Sequence, residues 1–557
     1  MSDGKTIAFF PEAAYGPALN SVGIAQKCRE LGHEPVFLTD PPMAEVFEDH
    51  GFETYEVNMA DPSLTPEEKS KYWDDFINKH IPNFDKEPSD QLDNYITECW
   101  DAIVETAKWA QQDLPDVLDE VDPDLICVDN VILFPAIKQY GVPWVRIVSC
   151  SENEIPDPNI PPYLSGCRAD DVASHHEFKR RYDELIAPVH DDFNDFLREH
   201  GEEPYPHGLF FETSPYLNLI KYPERLRWDR WNELDPDRFQ YLNGCIRDEN
   251  ETYEVPPIGN EDNPLVYLSY GSLGAGDTEL MKRLLEFFGS QPYRFLVNVG
   301  EYSDEYDESQ IPANVEIDSW FPQQSVISQA DVVIHHGGNN TFNECLYYGK
   351  PAIVMPYVWD GQDNATRLDE TNHGIKLHRS DWTPEEFADA LESCLTDEEI
   401  QANVAETSAD MQKQSGSKKA ATLLDDLLED HSEDTSDRDK APAVSMLSNP
   451  TEIDSDDLDD WGPVPDMIEG ESHTAGTVIY KGPDGESESG IWTCTPGYWE
   501  CTVERDEFCH FLEGSATYTH EDGTVTEIEP GTIATFPAGW TGTCRVHKTV
   551  RKVYMCR

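Results

Sequence analysis

The stretch "DVVIHHGGNNTFNECLYYGK", residues 331–350, decides the fold. A short apolar run ends in the pair His335-His336, Gly337 and Gly338 loosen the backbone, and Thr341 to Tyr348 carry helical spacing that Gly349 closes. That succession is a strand, a tight loop and a helix, the repeating unit of a parallel α/β sheet. The first amides of a helix lack partners inside it, and with the helix dipole they form an anion site that glycine lets a phosphate approach. A pyrophosphate suits such a loop.

Working outward, the same unit recurs. "PLVYLSYGS" from Pro264, "RFLVNVG" from Arg294 and "VEIDSWFP" from Val315 read as strands leading into turns. The first half repeats the pattern: strands at Thr6 to Phe10, Glu34 to Leu38, Leu125 to Val128 and Trp144 to Val148, with a helix over Ala18 to Leu31 closed by Gly32. Two Rossmann-like domains in tandem follow, 1–235 and 236–430, with a ligand crevice at the carboxyl ends of their strands. Residues 429–460 hold twelve acidic and two basic residues and five serines, so 431–465 reads as a solvated linker. From 466 to 557, short alternating runs separated by turns such as Glu521-Asp522-Gly523 predict a small all-β barrel.

Composition narrows the function. In 557 residues there are 40 Lys and Arg against 110 Asp and Glu, a net charge of −70. The carboxylates are spread along the chain, which predicts a solvated acidic surface suited to a high-salt cytosol, where a Debye length near ~3 Å at 1 M salt silences their repulsion. Nucleic acid and anionic membranes are disfavoured as partners. No apolar stretch is long enough for a membrane span, and "MSDGK" leads directly into a strand, so a cytoplasmic protein is expected. The 13 cysteines, with no CxxC pair, read as reduced core thiols.

Taken together, "SWFPQQSVISQADVVIHHGGNNTFNECLYYGKPAIVMPYVWDGQDNA" resembles the donor-binding signature of the family 1 (UDP-glucosyltransferase-like) glycosyltransferases. Trp320, Pro322, Gln323, His336, Gly338, Asn340, Thr341, Glu344, Pro356, Asp360 and Asn364 fall at matching steps. The resemblance covers about residues 5–430 and implies two Rossmann-like domains of GT-B type. It also implies that Trp320 stacks on a nucleotide base which Gln323 approaches, that His336 with the amides around Gly338, Asn340 and Thr341 binds the pyrophosphate, and that Glu344 accepts from ribose hydroxyls. Asp360 would hold sugar hydroxyls; Gln362 stands one step later than the family's glutamine, because Gly361 intervenes. Gly271 and Ser272 match a turn that faces the phosphates. By itself, Thr341-Phe-Asn-Glu344 also reads as a capping box, in which Glu344 serves only the backbone.

One departure concerns the chemistry. The family's usual Gly-His opening, whose histidine is the general base, would place that histidine at 17, where this chain has Pro17 after Gly16. Proline suits the first turn of a helix and takes no proton. Two carboxylates are candidates to replace it: Glu12, in the loop after the first strand, and Asp129 in "LICVDN", where the family often carries the acid that pairs with its histidine.

The last ninety or so residues resemble a short cupin of the ureidoglycine type: Gly531 to Gly539 matches G-x5-P-x-G, and Glu507 with Gly514 matches E-x6-G. The positions of the metal-binding histidines hold Cys501 and Val503, or Glu500 and Thr502, and then Gly542. His510 alternates to the opposite strand face from Glu507. Cys501, Glu507 and Cys509 could converge but are a poor set for zinc or iron, so no metal is expected. Cupins of this kind often pair through their sheets, so a homodimer is one expectation.

The expected function is an inverting, metal-independent transfer of a sugar from a nucleotide diphosphate to a hydroxyl of a small or lipid-like acceptor. No cofactor beyond the nucleotide sugar is expected. The alternative is a nucleotide-sugar-binding regulatory protein with a ligand-sensing cupin, for which the missing histidine speaks.

Overall fold

The computed structural model describes residues 4–13, 15–249, 251–435, 450, 453, 458–465, 467–481, 487–503 and 505–557. The chain forms two compact units, Met1–Glu433 and Asp434–Arg557. Most of the acidic linker expected over 431–465, and the first residue of the expected barrel at 466, lie outside the described residues.

The larger unit holds two parallel sheets. The first contains β1 (Thr6–Pro11), β2 (Glu34–Thr39), β3 (Glu53–Glu56), β4 (Leu125–Asp129), β5 (Trp144–Val148), β6 (Leu217–Ile220) and β7 (Phe239–Tyr241) in the order β3-β2-β1-β4-β5-β6-β7. The second contains β8 (Leu265–Ser269), β9 (Arg294–Asn298), β10 (Val315–Asp318), β11 (Val332–His335), β12 (Ala352–Val354) and β13 (Gly374–Lys376) in the order β10-β9-β8-β11-β12-β13. Central strands such as β4 and β11 are buried along their whole length, because helices cover both faces. Strand order reverses between β1 and β4 and between β8 and β11, and a crevice opens at such switch points.

Sequence periodicity misplaces three boundaries. β7 lies beyond residue 235 yet pairs with β6, so the first lobe extends past the expected join; a strand of three half-buried residues has too little pattern to read. The helix Gly416–Thr435 returns to the first lobe, where Ala420, Ala421, Leu424 and Leu428 join Ile7, Phe9 and Leu125 in one core. The single helix expected over Ala18 to Leu31 is two, Tyr15–Asn20 and Val22–Leu31, separated at Ser21, whose hydroxyl donates to Asp129 at 3.3 Å. Gly32 closes the second with φ +101°.

The smaller unit is antiparallel. Its strands are Asp459–Pro463, Met467–Glu469, His473–Lys481, Glu488–Cys494, Gly497–Thr502, Glu507–His520, Val525–Ile528, Ile533–Phe536 and Thr541–Cys556. Gly531 and Gly539 turn with φ of +90° and +82°, which explains the glycines of the G-x5-P-x-G motif. No helix among the described residues is long and apolar enough to cross a membrane.

Candidate active site between the lobes

The loop after β11 sits at the switch point of the second sheet, with His335 in register with Ser269 at the end of β8. The helix that follows runs Asn339–Tyr347 with Gly338 at its N-cap, two residues earlier than Thr341. The capping box therefore does not form. Gly338 caps without a side chain, which leaves the first amides of the helix without side-chain partners from the cap.

Glu344 is instead the centre of a buried cluster. It is 1% exposed; Arg247 Nη1 lies 2.9 Å from Oε1 and Gln323 Nε2 donates to Oε2 at 2.6 Å. Gln323 also reaches Thr341 Oγ1 at 3.3 Å and accepts from Ser269 Oγ at 3.4 Å. Three of the expected donor residues, Gln323, Thr341 and Glu344, are thus brought together, and Arg247 ties them to the segment after the first lobe. Sequence gave no sign of Arg247: a lone arginine in an acid-rich stretch carries no local pattern.

His336 stacks on Tyr357, ring centroids 5.1 Å apart. Gly271, at φ +67°, lies against its imidazole, and a Cβ at Gly271 would come within 2.8 Å of its Cε1. Burial pushes the His336 pKa down to about 4, with the Ser269 backbone opposing, and Nδ1 has no partner among the described residues. The imidazole is therefore neutral at pH 7 and offers a dipole. Ser272 lies in the short helix Gly271–Gly274. Trp320, 51% exposed, lies in the loop that leads into the helix Gln323–Gln329.

Asn340 links the lobes. Its Nδ2 donates to the Gly16 carbonyl at 2.7 Å, and its Oδ1 accepts from Lys221, whose Nζ also donates to Asn20 at 2.7 Å. Lys221, 3% exposed at the end of β6, is a second residue that sequence reasoning missed; a lysine closing the apolar run "LNLIK" was its signal.

Asp360 opens the helix Asp360–Glu370. Burial, then Asp363, holds its carboxyl well above the usual range, and the Asn339 amide opposes them. Asn364 bonds Asp360 Oδ2 at 3.1 Å and the Gly337 carbonyl at 2.9 Å, fixing this helix to the donor loop. Gln362, two residues on and so on another side of the helix, faces Gly166 and a separate cavity. Asp360 and Gln362 are not brought together.

The two candidate bases are neighbours. Pro11 is in register with Asp129, and the Glu12 amide donates to the Asp129 carbonyl at 2.9 Å. Asp129 is 4% exposed and accepts from Ser149 Oγ at 2.6 Å and from Ser21. Burial raises its pKa to about 7 against the pull of Ser149, Lys221 and Arg146. Glu12 is half-buried and is raised to about 7 by burial, then by Asp129 and Glu154. Pro17 falls in the first turn of the Tyr15–Asn20 helix.

Residues 295–427 match the family model described as "Erythromycin biosynthesis protein CIII-like, C-terminal domain". The larger unit is a family 1 glycosyltransferase. This glycosyltransferase is 24% identical over 426 residues to the oleandomycin glycosyltransferase of Streptomyces antibioticus, covering 75% of this chain and 90% of that one. It is 23% identical over 316 residues to the NDP-glycosyltransferase YjiC of Bacillus subtilis, covering 56% and 74%. Among solved structures, the glycotransferase of kitacinnamycin superposes with a TM-score of 0.59 at 20% identity, over 76% of this chain and 99% of that one, which supports the GT-B fold. Residues 481–554 match a model described as an EutQ-like cupin domain, so the smaller unit of the glycosyltransferase is a cupin.

In that cupin, Glu507 meets Lys552, Nζ to Oε1 2.6 Å, with the ammonium 4.7 Å from the Trp492 ring centroid. Burial opposes the Lys552 charge, but Glu507 and Cys509 outweigh it and raise its pKa. Glu507 is thus paired with an ammonium in the place where a metal ligand would stand. Burial pushes the Cys509 thiol up to about 12, far from the thiolate a metal would need. No group of three or more metal-ligating side chains occurs among the described residues.

Proposed function

We propose that the protein transfers a sugar from a nucleoside diphosphate donor to the hydroxyl of a small or lipid-like acceptor, with inversion and without a metal ion, in a high-salt cytosol. The observation that carries this reading is the row of groups along one crevice: the Trp320 face, the Gln323–Glu344 cluster, neutral His336 and the helix N-terminus at Gly338. The base lies on Trp320, the ribose reaches toward Glu344, and the diphosphate meets the amides of Gly338, Asn340 and Thr341 beside His336 and Gly271-Ser272. Fixed amide dipoles stabilise the leaving diphosphate as the glycosidic bond breaks. Asp360 holds the sugar.

Glu12 is the general base. Its side chain makes no hydrogen bond among the described residues, whereas two serines occupy Asp129. Burial, with the charge of Asp129 acting on Glu12, keeps both carboxyls poised near neutral pH. Asp129 is the positioning partner. Half-buried Trp359, 5.4 Å from the core ring of Trp100, suits an apolar acceptor. Trp359 takes φ +57° immediately before Asp360, a strained conformation for a tryptophan.

The test is donor consumption in molar salt across a panel of hydroxyl acceptors, beside donor binding. Transfer that Glu12→Gln lowers while donor affinity holds supports the reading. Donor binding without turnover on any acceptor would favour a regulatory protein, the reading to which Pro17 lends weight.

A further inference from the structure

The chain carries 110 carboxylates against 40 Lys and Arg residues, yet some of its lysines join no ion pair among the described residues. Two such lysines line one cavity. It encloses about 280 Å³ and is walled by Lys86 and Glu87 from the first lobe and by Gln362, Lys376, His378 and Arg379 from the second. Lys86 Nζ donates to Asn83 Oδ1 at 2.7 Å and Lys376 Nζ to Thr366 Oγ1 at 2.8 Å; neither joins an ion pair among the described residues. Burial pushes the Lys376 ammonium below its usual range, against the opposing pull of Asp363, Glu87 and Asp369.

The other donors agree. Arg379 is 2% exposed; its terminal nitrogens lie 3.2 Å from Asp85 and 2.7 Å from Asp277, yet its Nε has no partner among the described residues. His378 Nδ1 accepts the amides of Ser380 at 3.2 Å and Asp381 at 2.9 Å, which puts the proton of the neutral ring on Nε2. Against three cations and this N–H, the wall carries the carboxylate of Glu87. Asp85 and Asp277 already answer Arg379, so the charges left without an ion pair at the cavity are those of Lys86 and Lys376.

The cavity adjoins the donor crevice. Tyr357 stacks both on His336 and on Phe84, with centroids 5.1 Å apart in each case, and Phe84 lines the cavity. Gln362, in the wall, belongs to the helix that Asp360 opens.

We propose that this cavity is an oxyanion site for one carboxylate or phosphate group. Two sources share that chemistry: the carboxylate of an acidic sugar on the nucleotide donor, which rests on the function proposed above, and a free phosphate, which does not.

Calorimetry on the full chain in molar KCl tests it, with wild type, the double variant Lys86→Met/Lys376→Met, and the conservative Lys376→Arg. One arm titrates inorganic phosphate with the donor crevice saturated by nucleoside diphosphate. The other compares a nucleotide-linked glucuronate with the corresponding glucose donor. The proposal expects the double variant to lose about tenfold or more in affinity for phosphate or for the glucuronate donor, with Lys376→Arg retaining most of it and the glucose donor unaffected. Loss in the phosphate arm identifies a free anion, and loss in the glucuronate arm an acidic sugar. If neither affinity differs between wild type and double variant, or if the glucose donor weakens equally, the proposal is overturned. Failure of the wild type to bind either donor contradicts the donor crevice instead, and leaves the phosphate arm to decide the cavity.

Discussion

Gln323 Nε2 lies 2.6 Å from Glu344 Oε2, so the residue expected to face the base and the one expected to face the ribose form a single unit before any ligand arrives. Arg247 completes it from the other oxygen at 2.9 Å. Removing one partner of a buried pair leaves an uncompensated charge, so Arg247→Leu should cost about 3 kcal/mol of stability. Gln323→Leu, which removes a hydrogen bond to a charged group, should cost about 2 kcal/mol. Thermal unfolding in molar salt measures both; equal and negligible effects would show that the cluster is not maintained in solution.

Glu12 and Asp129 give a pH dependence with a definite sign. Both carboxyls have folded pKa values near 7, above their ordinary values of 4.5 and 3.8. The folded state therefore binds more protons than the unfolded state between about pH 4 and 7, and the contribution of the pair to stability falls as pH rises through that window. Catalysis runs the other way: kcat should climb with pH to a plateau above about 7. Glu12→Gln should lower kcat by about 10²- to 10⁴-fold and remove the acid limb. An acid limb that persists in this variant would assign the base elsewhere.

His336 behaves oppositely. With a folded pKa near 4 against 6.5 unfolded, it takes up fewer protons folded than unfolded in that interval, and stability is lost as pH falls through it. Because the ring is neutral, affinity for a nucleotide sugar should stay flat from pH 8 to about 5.5. His336→Ala should weaken binding by about tenfold, the worth of a hydrogen bond to a charged group. A wild-type affinity that climbs steeply below pH 7, with the climb absent in His336→Ala, would mean that an imidazolium does the binding.

What the sequence disclosed was local. His336, Thr341 and Glu344 lie within one strand–loop–helix succession and Trp320 and Gln323 stand shortly before it, so the order of residue types already encodes the crevice they line. What it hid was non-local: Arg247 comes from 97 residues before Glu344, and Lys221 reaches Asn340 across 119. The capping-box reading of Glu344 failed because a box needs the helix to start at Thr341, and it starts at Asn339. Gln362, one step later than the family's glutamine, is turned away from Asp360 by two steps along the helix. β7 and the returning helix Gly416–Thr435 escaped for the same reason, since their places are set by partners far along the chain.

In the cupin, Lys552→Met should leave Glu507 buried without its partner at a cost of about 3 kcal/mol, and adding Glu507→Gln should restore much of that loss. Denaturant unfolding of the full chain, followed through the cupin's transition, reads the cycle. Additive costs would mean that the pair is not coupled.

The most direct measurement is calorimetric titration of nucleoside diphosphate into the wild type and into Trp320→Leu, in molar salt. Stacking of a base on an aromatic ring is worth about 1–3 kcal/mol, so the substitution should weaken binding by about 5- to 150-fold, with the fold unchanged. Equal affinity for the two proteins would contradict a nucleotide held on that indole beside the Gly338 helix N-terminus.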